Sequence, residues 1–177
     1  EGITFRTQAL HRTGVLHDWE RFALESFGPV IAPQLLAAWK GSVEGDDAVL
    51  ELGNLALNRE LPASQIATSI EAGEVLLRDT RGAKYQGALG KFRQSVEEGS
   101  MAPHLAMVWA GLGAMFQVPP LDLLCEYLRE EWLVGTREMG LVMPPQGMLS
   151  FVGLSQKAMH HSLRLFSVEH DQLRHEA

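Results

Sequence analysis

The sequence His104-Leu-Ala-Met-Val-Trp-Ala-Gly-Leu-Gly-Ala-Met-Phe-Gln-Val-Pro119 decides the fold class of this chain. Ala106, Ala110 and Ala114 recur every four residues, so they lie on one face of a helix that a neighbouring helix can approach closely. The other positions are mostly large and apolar, which predicts a helix in the middle of the protein or in a subunit interface. Proline cannot donate the helical hydrogen bond, so Pro119 and the proline after it should end the helix. The segment is shorter than the roughly 20 residues that cross a bilayer, and we expect no membrane span.

Length and charge indicate one acidic domain. At 177 residues the chain fits a single domain spanning residues 1–177, with a charged tail from about residue 168 that we expect to fray. The formal charge is −7 and the Lys and Arg residues form no cluster, which argues against a nucleic-acid partner. The first residues contain no positively charged leader followed by an apolar run, so we expect no secretion signal.

The single cysteine, Cys125, cannot form an internal disulfide, which is compatible with a reducing cytosol. It follows Leu123 and Leu124 in an apolar helical pattern. This pattern predicts a buried, inert thiol rather than a nucleophile.

Helical periodicity dominates the chain, and it predicts an all-α fold, a single-domain bundle of about seven to nine helices. The first predicted helix starts at Asp18 and ends at Gly28-Pro29, and the second runs from Ile31 to Trp39 with Gly41 as its stop. The third runs from the Asp46 cap to Asn58, and the fourth begins at Pro62 and Ser64 and continues through Leu77. Later helices are predicted from His104 to Pro119, from Pro120 through Trp132, and after a break from Met143 to Gly147. The segment from Arg81 to Gly99 is polar and rich in glycine; its pattern is the weakest of the predicted helices, and we expect mobility there.

Candidate metal ligands and acid–base pairs are poorly arranged. His160 and His161 are adjacent, so their side chains point about 100° apart on a helix, and the other close histidines lie near the end of the chain. Glu126, Glu130 and Glu131 alternate with Arg129 in the manner of a solvated helix face. The sequence predicts no metal site and no catalytic residues.

Nucleotide-binding and hydrolase signatures are also absent. The chain has neither the phosphate-binding loop ending in Gly-Lys-Ser/Thr nor a Gly-x-Ser-x-Gly turn, and Gly111-Leu-Gly113 falls within a helix instead of a strand-to-helix loop. We therefore expect no cofactor and no enzymatic activity. A helical protein of this kind usually works by binding another protein.

Four features, in the same order along the chain, resemble the urease accessory protein UreF family. Ser69-Ile-Glu-Ala-Gly73, followed by two leucines, is similar to that family's Ser-x-x-x-Gly-x-x-Leu-Leu helix. His104, followed by Val108, resembles its His-x-x-Val segment, and Leu124 to Leu128, including Tyr127, resembles its Leu-x-x-Tyr-Leu helix. Leu141 to Gly147 is similar to its Leu-Val-Pro-Leu-Gly-Gln break. The resemblance covers roughly residues 15 to 150.

The chain departs from the family pattern in two places. The family's N-terminal motif, Pro-Ile-Gly followed by His-Ser-x-Gly-Leu-Glu, is absent, with Glu1-Gly2 at best its remnant. The Pro-Leu-Gly-Gln element becomes Pro144-Pro145-Gln146-Gly147.

The resemblance implies an all-α, usually dimeric cytoplasmic scaffold. Such a protein joins a second urease accessory protein to a nickel-carrying GTPase and helps to load nickel into apo-urease, without itself hydrolysing GTP or holding nickel. The positions that match the family motifs are then candidates for partner binding: Ser69, Gly73, His104, Tyr127, Gln146 and Gly147.

Two other interpretations stay open. An all-α chaperone for a redox enzyme would bind an isolated leader peptide, whereas a urease scaffold would bind a folded GTPase. The ligand-binding domain of a transcription regulator would require a cavity lined by Trp109, Met115, Trp132 and Met139.

Overall fold

A computed structural model describes residues 21–80 and 85–136 of the chain, with side chains up to residue 131. Every regular element in these ranges is a helix, which confirms the predicted all-α class. The helices are α1 (Phe22–Ile31), α2 (Ala32–Glu44), α3 (Val49–Glu60), α4 (Ala63–Asp79), α5 (Gly87–Glu97), α6 (Leu105–Met115) and α7 (Pro120–Thr136). The predicted start at Asp18, the histidines from His160 onward and the helix after Gly147 lie outside the described residues.

The first two helices are continuous, so the predicted break at Gly28-Pro29 is wrong. The first of them is a π-helix with Pro29 in its interior, and its last turn closes with the N–H of Ala32 donating to the carbonyl of Phe27. Widened π turns are a known way for a helix to accommodate a disruption of its regular hydrogen bonds, so proline need not end it here.

The predicted stop at Gly41 is wrong as well. The second helix continues to Glu44, and Gly45 ends it by taking a left-handed backbone with φ 86°. Gly41 instead allows close packing, because a Cβ atom there would lie only 2.6 Å from Cγ2 of Val49. It is a glycine of close approach between the second and third helices.

The remaining boundaries follow the sequence signals more closely. Asp46 accepts a hydrogen bond from the N–H of Ala48 at 3.0 Å just before α3, and α4 begins directly after Pro62. Within the polar segment, Gly87–Glu97 forms α5, since Ala88, Leu89 and Phe92 give it a buried face. The expectation of mobility there stays a prediction.

Helix α6 is the centre of the fold and packs against all of α2, α3, α4, α5 and α7. Ala106 and Ala110 are buried and Ala114 is half-buried, which confirms the predicted face of close approach. The helix ends at Met115, before the prolines. In the described ranges, no helix combines the length and apolar character that a membrane span requires.

Candidate partner-binding site

The first group of predicted site residues meets where α6 begins. Asn54, on α3, is fully buried; its side-chain N–H donates to the carbonyl of Ala102 and its oxygen accepts from the backbone N–H of His104, both at 2.9 Å. On the other side, the hydroxyl of Ser69 accepts from the N–H of Leu105 at 3.1 Å. Backbone N–H groups at a helix start lack partners within the helix, so these side chains tie α6 to both α3 and α4.

Gly73 permits this contact between α4 and the start of α6. A Cβ atom at Gly73 would lie 2.1 Å from the carbonyl oxygen of Pro103 and 3.0 Å from the carbonyl carbon of His104. Both atoms belong to the backbone, so neither can rotate away. Gly73 is thus a packing glycine in a helix interior. We call Asn54, Ser69, Gly73 and His104 together the His104 junction.

The imidazole of His104 is fully buried within this junction. Its Nε2 lies 3.1 Å from the side-chain oxygen of Asn58. Because that oxygen can only accept, the ring proton is on Nε2 and Nε2–H donates the hydrogen bond. The other ring nitrogen, Nδ1, has no hydrogen-bond partner among the described residues. Burial lowers the pKa of His104 from 6.5 to about 4, and the ring is therefore neutral at pH 7.

Tyr127 belongs to a second cluster, on α7. Its ring stacks on Phe27 with centroids 5.8 Å apart and meets the edge of Trp109 at 6.0 Å. Burial, together with the charge and hydrogen bond of Glu131, raises the pKa of Tyr127 well above its ordinary value. The phenol keeps its proton at neutral pH, and its O–H donates a hydrogen bond to the side chain of Glu131.

This arrangement corrects part of the predicted solvated face of α7. Glu126 and Arg129 form an exposed ion pair at 2.8 Å, as the pattern indicated, but Glu131 is only 2% exposed. It lies four residues after Tyr127, and this spacing places both side chains on the same, inward face.

The prediction of a buried thiol at Cys125 is wrong, because the side chain is exposed. Leu123 and Leu124 occupy the buried face, and the next residue along the helix turns away from it. Partial desolvation, followed by the charges of Asp122 and Glu126, raises the pKa of Cys125. The thiol therefore stays protonated at neutral pH, and its lack of reactivity stays a prediction.

An apolar groove of about 310 Å³ opens between the end of α6 and the start of α7. It is lined by Trp109, Leu112, Gly113, Phe116, Val118, Leu123 and Glu126. Phe116 leaves 67% of its surface exposed there. A regulator domain would need a cavity lined by Trp109, Met115, Trp132 and Met139. Of these, Trp109 lines the groove and Met115 does not, while the side chains of Trp132 and Met139 lie outside the described residues.

The turn between α6 and α7 contributes Val118 to the lining of the groove. Gln117 takes a left-handed backbone with φ 55°, and the N–H groups of Gln117 and Val118 donate to the carbonyls of Ala114 and Gly113. These two bonds form the Schellman motif, which ends a helix and turns the chain back over its last turn. The turn therefore ends α6 ahead of Pro119.

Four of the six candidate site residues lie in the interior of the fold. Ser69, Gly73 and His104 converge in one junction and Tyr127 lies in another cluster, and all four are buried. Gln146 and Gly147 lie outside the described residues. A role of these residues in partner binding stays a prediction.

Two important residues were missed. Asn54 shares the core face of α3 with Leu50 and Leu57, and a polar residue at a core position of a periodic helix was the available signal. Phe116 gave no comparable signal, because its exposure depends on the turn at Gln117 and on how α7 packs.

No group of three or more His, Cys, Asp or Glu side chains within residues 21–80 and 85–131 is arranged to hold a metal ion. Comparison with known proteins gives one match: the family model for UreF covers residues 10–131, more than half of the chain. The chain belongs to the UreF family. The matched region includes the motif positions from Ser69 to Tyr127. No curated protein and no solved structure gives a match.

Membership assigns the chain to the accessory proteins of urease maturation. These proteins act together with other urease accessory proteins and are distinct from the catalytic enzyme.

Proposed function

We propose that the chain is a non-catalytic scaffold that joins a nickel-carrying GTPase and a second urease accessory protein to apo-urease during nickel incorporation. It would act in the cytoplasm as a homodimer and require no cofactor of its own. The observation that carries this proposal is the UreF match over residues 10–131. The all-helical fold and the buried positions of the matched motif residues are compatible with it.

The geometry suggests how the motif residues would serve such a scaffold. A side chain that is buried offers little surface to a partner, so the His104 junction would act by holding α6 in place between α3 and α4. Tyr127 would act in the same way by holding α7 against Trp109. The partner surface is then formed by exposed residues on the elements that these clusters position.

Stable contacts with two partners require about 800 Å² of surface on the scaffold side of each contact. Exposed apolar side chains are available for this in the described part of the chain, among them Leu24, Phe116 and Leu121. Large exposed apolar side chains that occur in contiguous patches are typical of interaction surfaces.

Size-exclusion chromatography of purified proteins tests the proposal. The natural chain is mixed with the urease GTPase and the second accessory protein, and each component is left out in turn as a control. We expect the three proteins to co-elute, and the chain alone to hydrolyse no GTP. If the chain elutes separately from both proteins in every mixture, the scaffold function is wrong and the UreF match reflects the fold alone.

A further inference from the structure

The apolar groove between α6 and α7 is formed by well-ordered contacts. The indole N–H of Trp109 donates to the carbonyl of Leu123 at 3.2 Å, while its ring meets the edge of Tyr127. Gly113 lies so close to α7 that a Cβ atom there would be 2.4 Å from Cδ1 of Leu123. The walls are thus held by the core, and little ordering is needed before an apolar side chain enters.

Acidic side chains follow the stripe of α7 that borders this groove at Glu126. Asp122, Glu126 and Glu130 recur every four residues and so form a line along α7, and Glu126 also lines the groove. Arg129 pairs with Glu126, whereas no cation in the described part of the chain pairs with Asp122 or Glu130. The stripe, which we call the acidic line, is complementary to Lys and Arg residues.

We propose that the groove binds a basic amphipathic helix of another protein, with an apolar side chain of that helix against Phe116 and Trp109 and its basic residues along the acidic line. Helices commonly bind in grooves through apolar residues at spacings of three and four, and a cavity of about 310 Å³ lies at the low end for pockets, as expected for one or two inserted side chains. That the helix belongs to a urease accessory protein rests on the proposed function.

A second copy of this chain fits the groove less well. In a two-fold symmetric contact the same patch lies on both sides, so two acidic lines would face each other. Like charges placed opposite one another disfavour association. The charge pattern therefore selects a partner of opposite sign.

A synthetic helix tests the groove directly. The probe is a dye-labelled peptide of about 18 residues, five helical turns, with leucines at spacings of three and four and lysines elsewhere; a matched peptide carries glutamates in place of the lysines. Fluorescence anisotropy with the full chain measures its affinity. We expect the lysine peptide to bind and the glutamate peptide not to bind.

Variants then locate the peptide. Phe116→Ser should raise the Kd about tenfold, because truncation of an aromatic residue at an interface centre removes much of the binding energy. Leu52→Ser is the matched control, since Leu52 is 60% exposed but lies on α3, outside the groove. It should leave the Kd unchanged within about twofold. Circular dichroism checks that both variants fold.

Three results would overturn the proposal: equal affinity of the parent chain and Phe116→Ser for the lysine peptide, equal affinity for the two peptides, or a self-association of the chain that Phe116→Ser abolishes.

Chromatography with the accessory proteins separates this inference from the proposed function. Undiminished co-elution of Phe116→Ser would reject the groove while the scaffold function stands. Binding of the lysine peptide by a chain that co-elutes with neither accessory protein would reject the scaffold function and keep the groove.

Discussion

Replacement of Gly73 by alanine should destabilise the fold, although the same change usually stabilises an exposed helix. The new Cβ would lie 2.1 Å from the carbonyl oxygen of Pro103. That oxygen is part of the backbone just ahead of α6, where the N–H groups of His104 and Leu105 are held by Asn54 and Ser69. Relief of the clash must therefore shift α4 away from the start of α6.

The expected cost follows from two opposing terms. Overpacking of a close contact costs about 1–3 kcal/mol, and a backbone neighbour that cannot rotate favours the upper end of that range. The better helix propensity of alanine raises the free energy of unfolding by about 0.5–1 kcal/mol. The free energy of unfolding should fall by about 2 kcal/mol.

Urea denaturation followed by circular dichroism measures this difference. Gly53→Ala is the matched control, because its Cβ would meet the side-chain sulfur of Met107 at 2.5 Å, and this flexible side chain can move aside. The control should lose less than about 1 kcal/mol. A midpoint for Gly73→Ala at or above that of the parent would refute the steric reasoning at the His104 junction.

Three further outcomes are expected. Because the folded pKa of His104 is about 4 and the unfolded value is 6.5, the unfolded state takes up the proton first as the pH falls. The stability contributed by the neutral ring is complete above pH 6.5 and is lost between pH 6.5 and 4, by up to about 3 kcal/mol, so the slope of unfolding free energy against pH should be smaller in His104→Gln than in the parent. Ala110→Leu should cost about 1–3 kcal/mol, since Ala110 is fully buried against neighbouring helices, and coincident denaturation midpoints would contradict this placement. Tyr127→Phe removes the hydroxyl that donates a hydrogen bond to the buried side chain of Glu131 and should cost about 1–3 kcal/mol; calorimetric melting that matches the parent would show that this hydrogen bond adds nothing.

The fold class was predictable because it depends on period and composition. Apolar positions at helical spacing placed α3, α4, α6 and α7 close to their observed ranges. The errors occurred at glycine and proline. Gly41 and Gly28-Pro29 look like stops in the sequence, but one packs against Val49 and the other lies within a continuous helix. Which use a glycine serves depends on the neighbouring helix, and a local pattern does not contain that information.

The sequence indicated part of the grouping of the candidate residues but not the orientation of α7. The resemblance to the UreF family singled out Ser69, Gly73 and His104, and the fold brings them into one junction. Cys125 and Glu131 were assigned to the wrong side of α7. Each turn of this helix has both apolar and charged residues, so the sequence pattern does not decide which face of α7 faces the core. Contacts with Phe27 and Trp109 fix that rotation, and both are distant in sequence.

The two ends of α6 allow a positioning role to be separated from direct contact with a partner. At the N-terminal end the His104 junction is buried, whereas Phe116, just after the C-terminal end, is 67% exposed. A typical domain has at least about 5 kcal/mol of stability, so a loss of about 2 kcal/mol at Gly73 still leaves about 99% of the chain folded. Gly73→Ala should therefore co-elute with the accessory proteins as the parent does, while Phe116→Ser should keep its stability and lose co-elution. A Gly73→Ala protein that is folded by circular dichroism yet fails to co-elute would mean that the junction takes part in partner binding itself, beyond holding α6 in position.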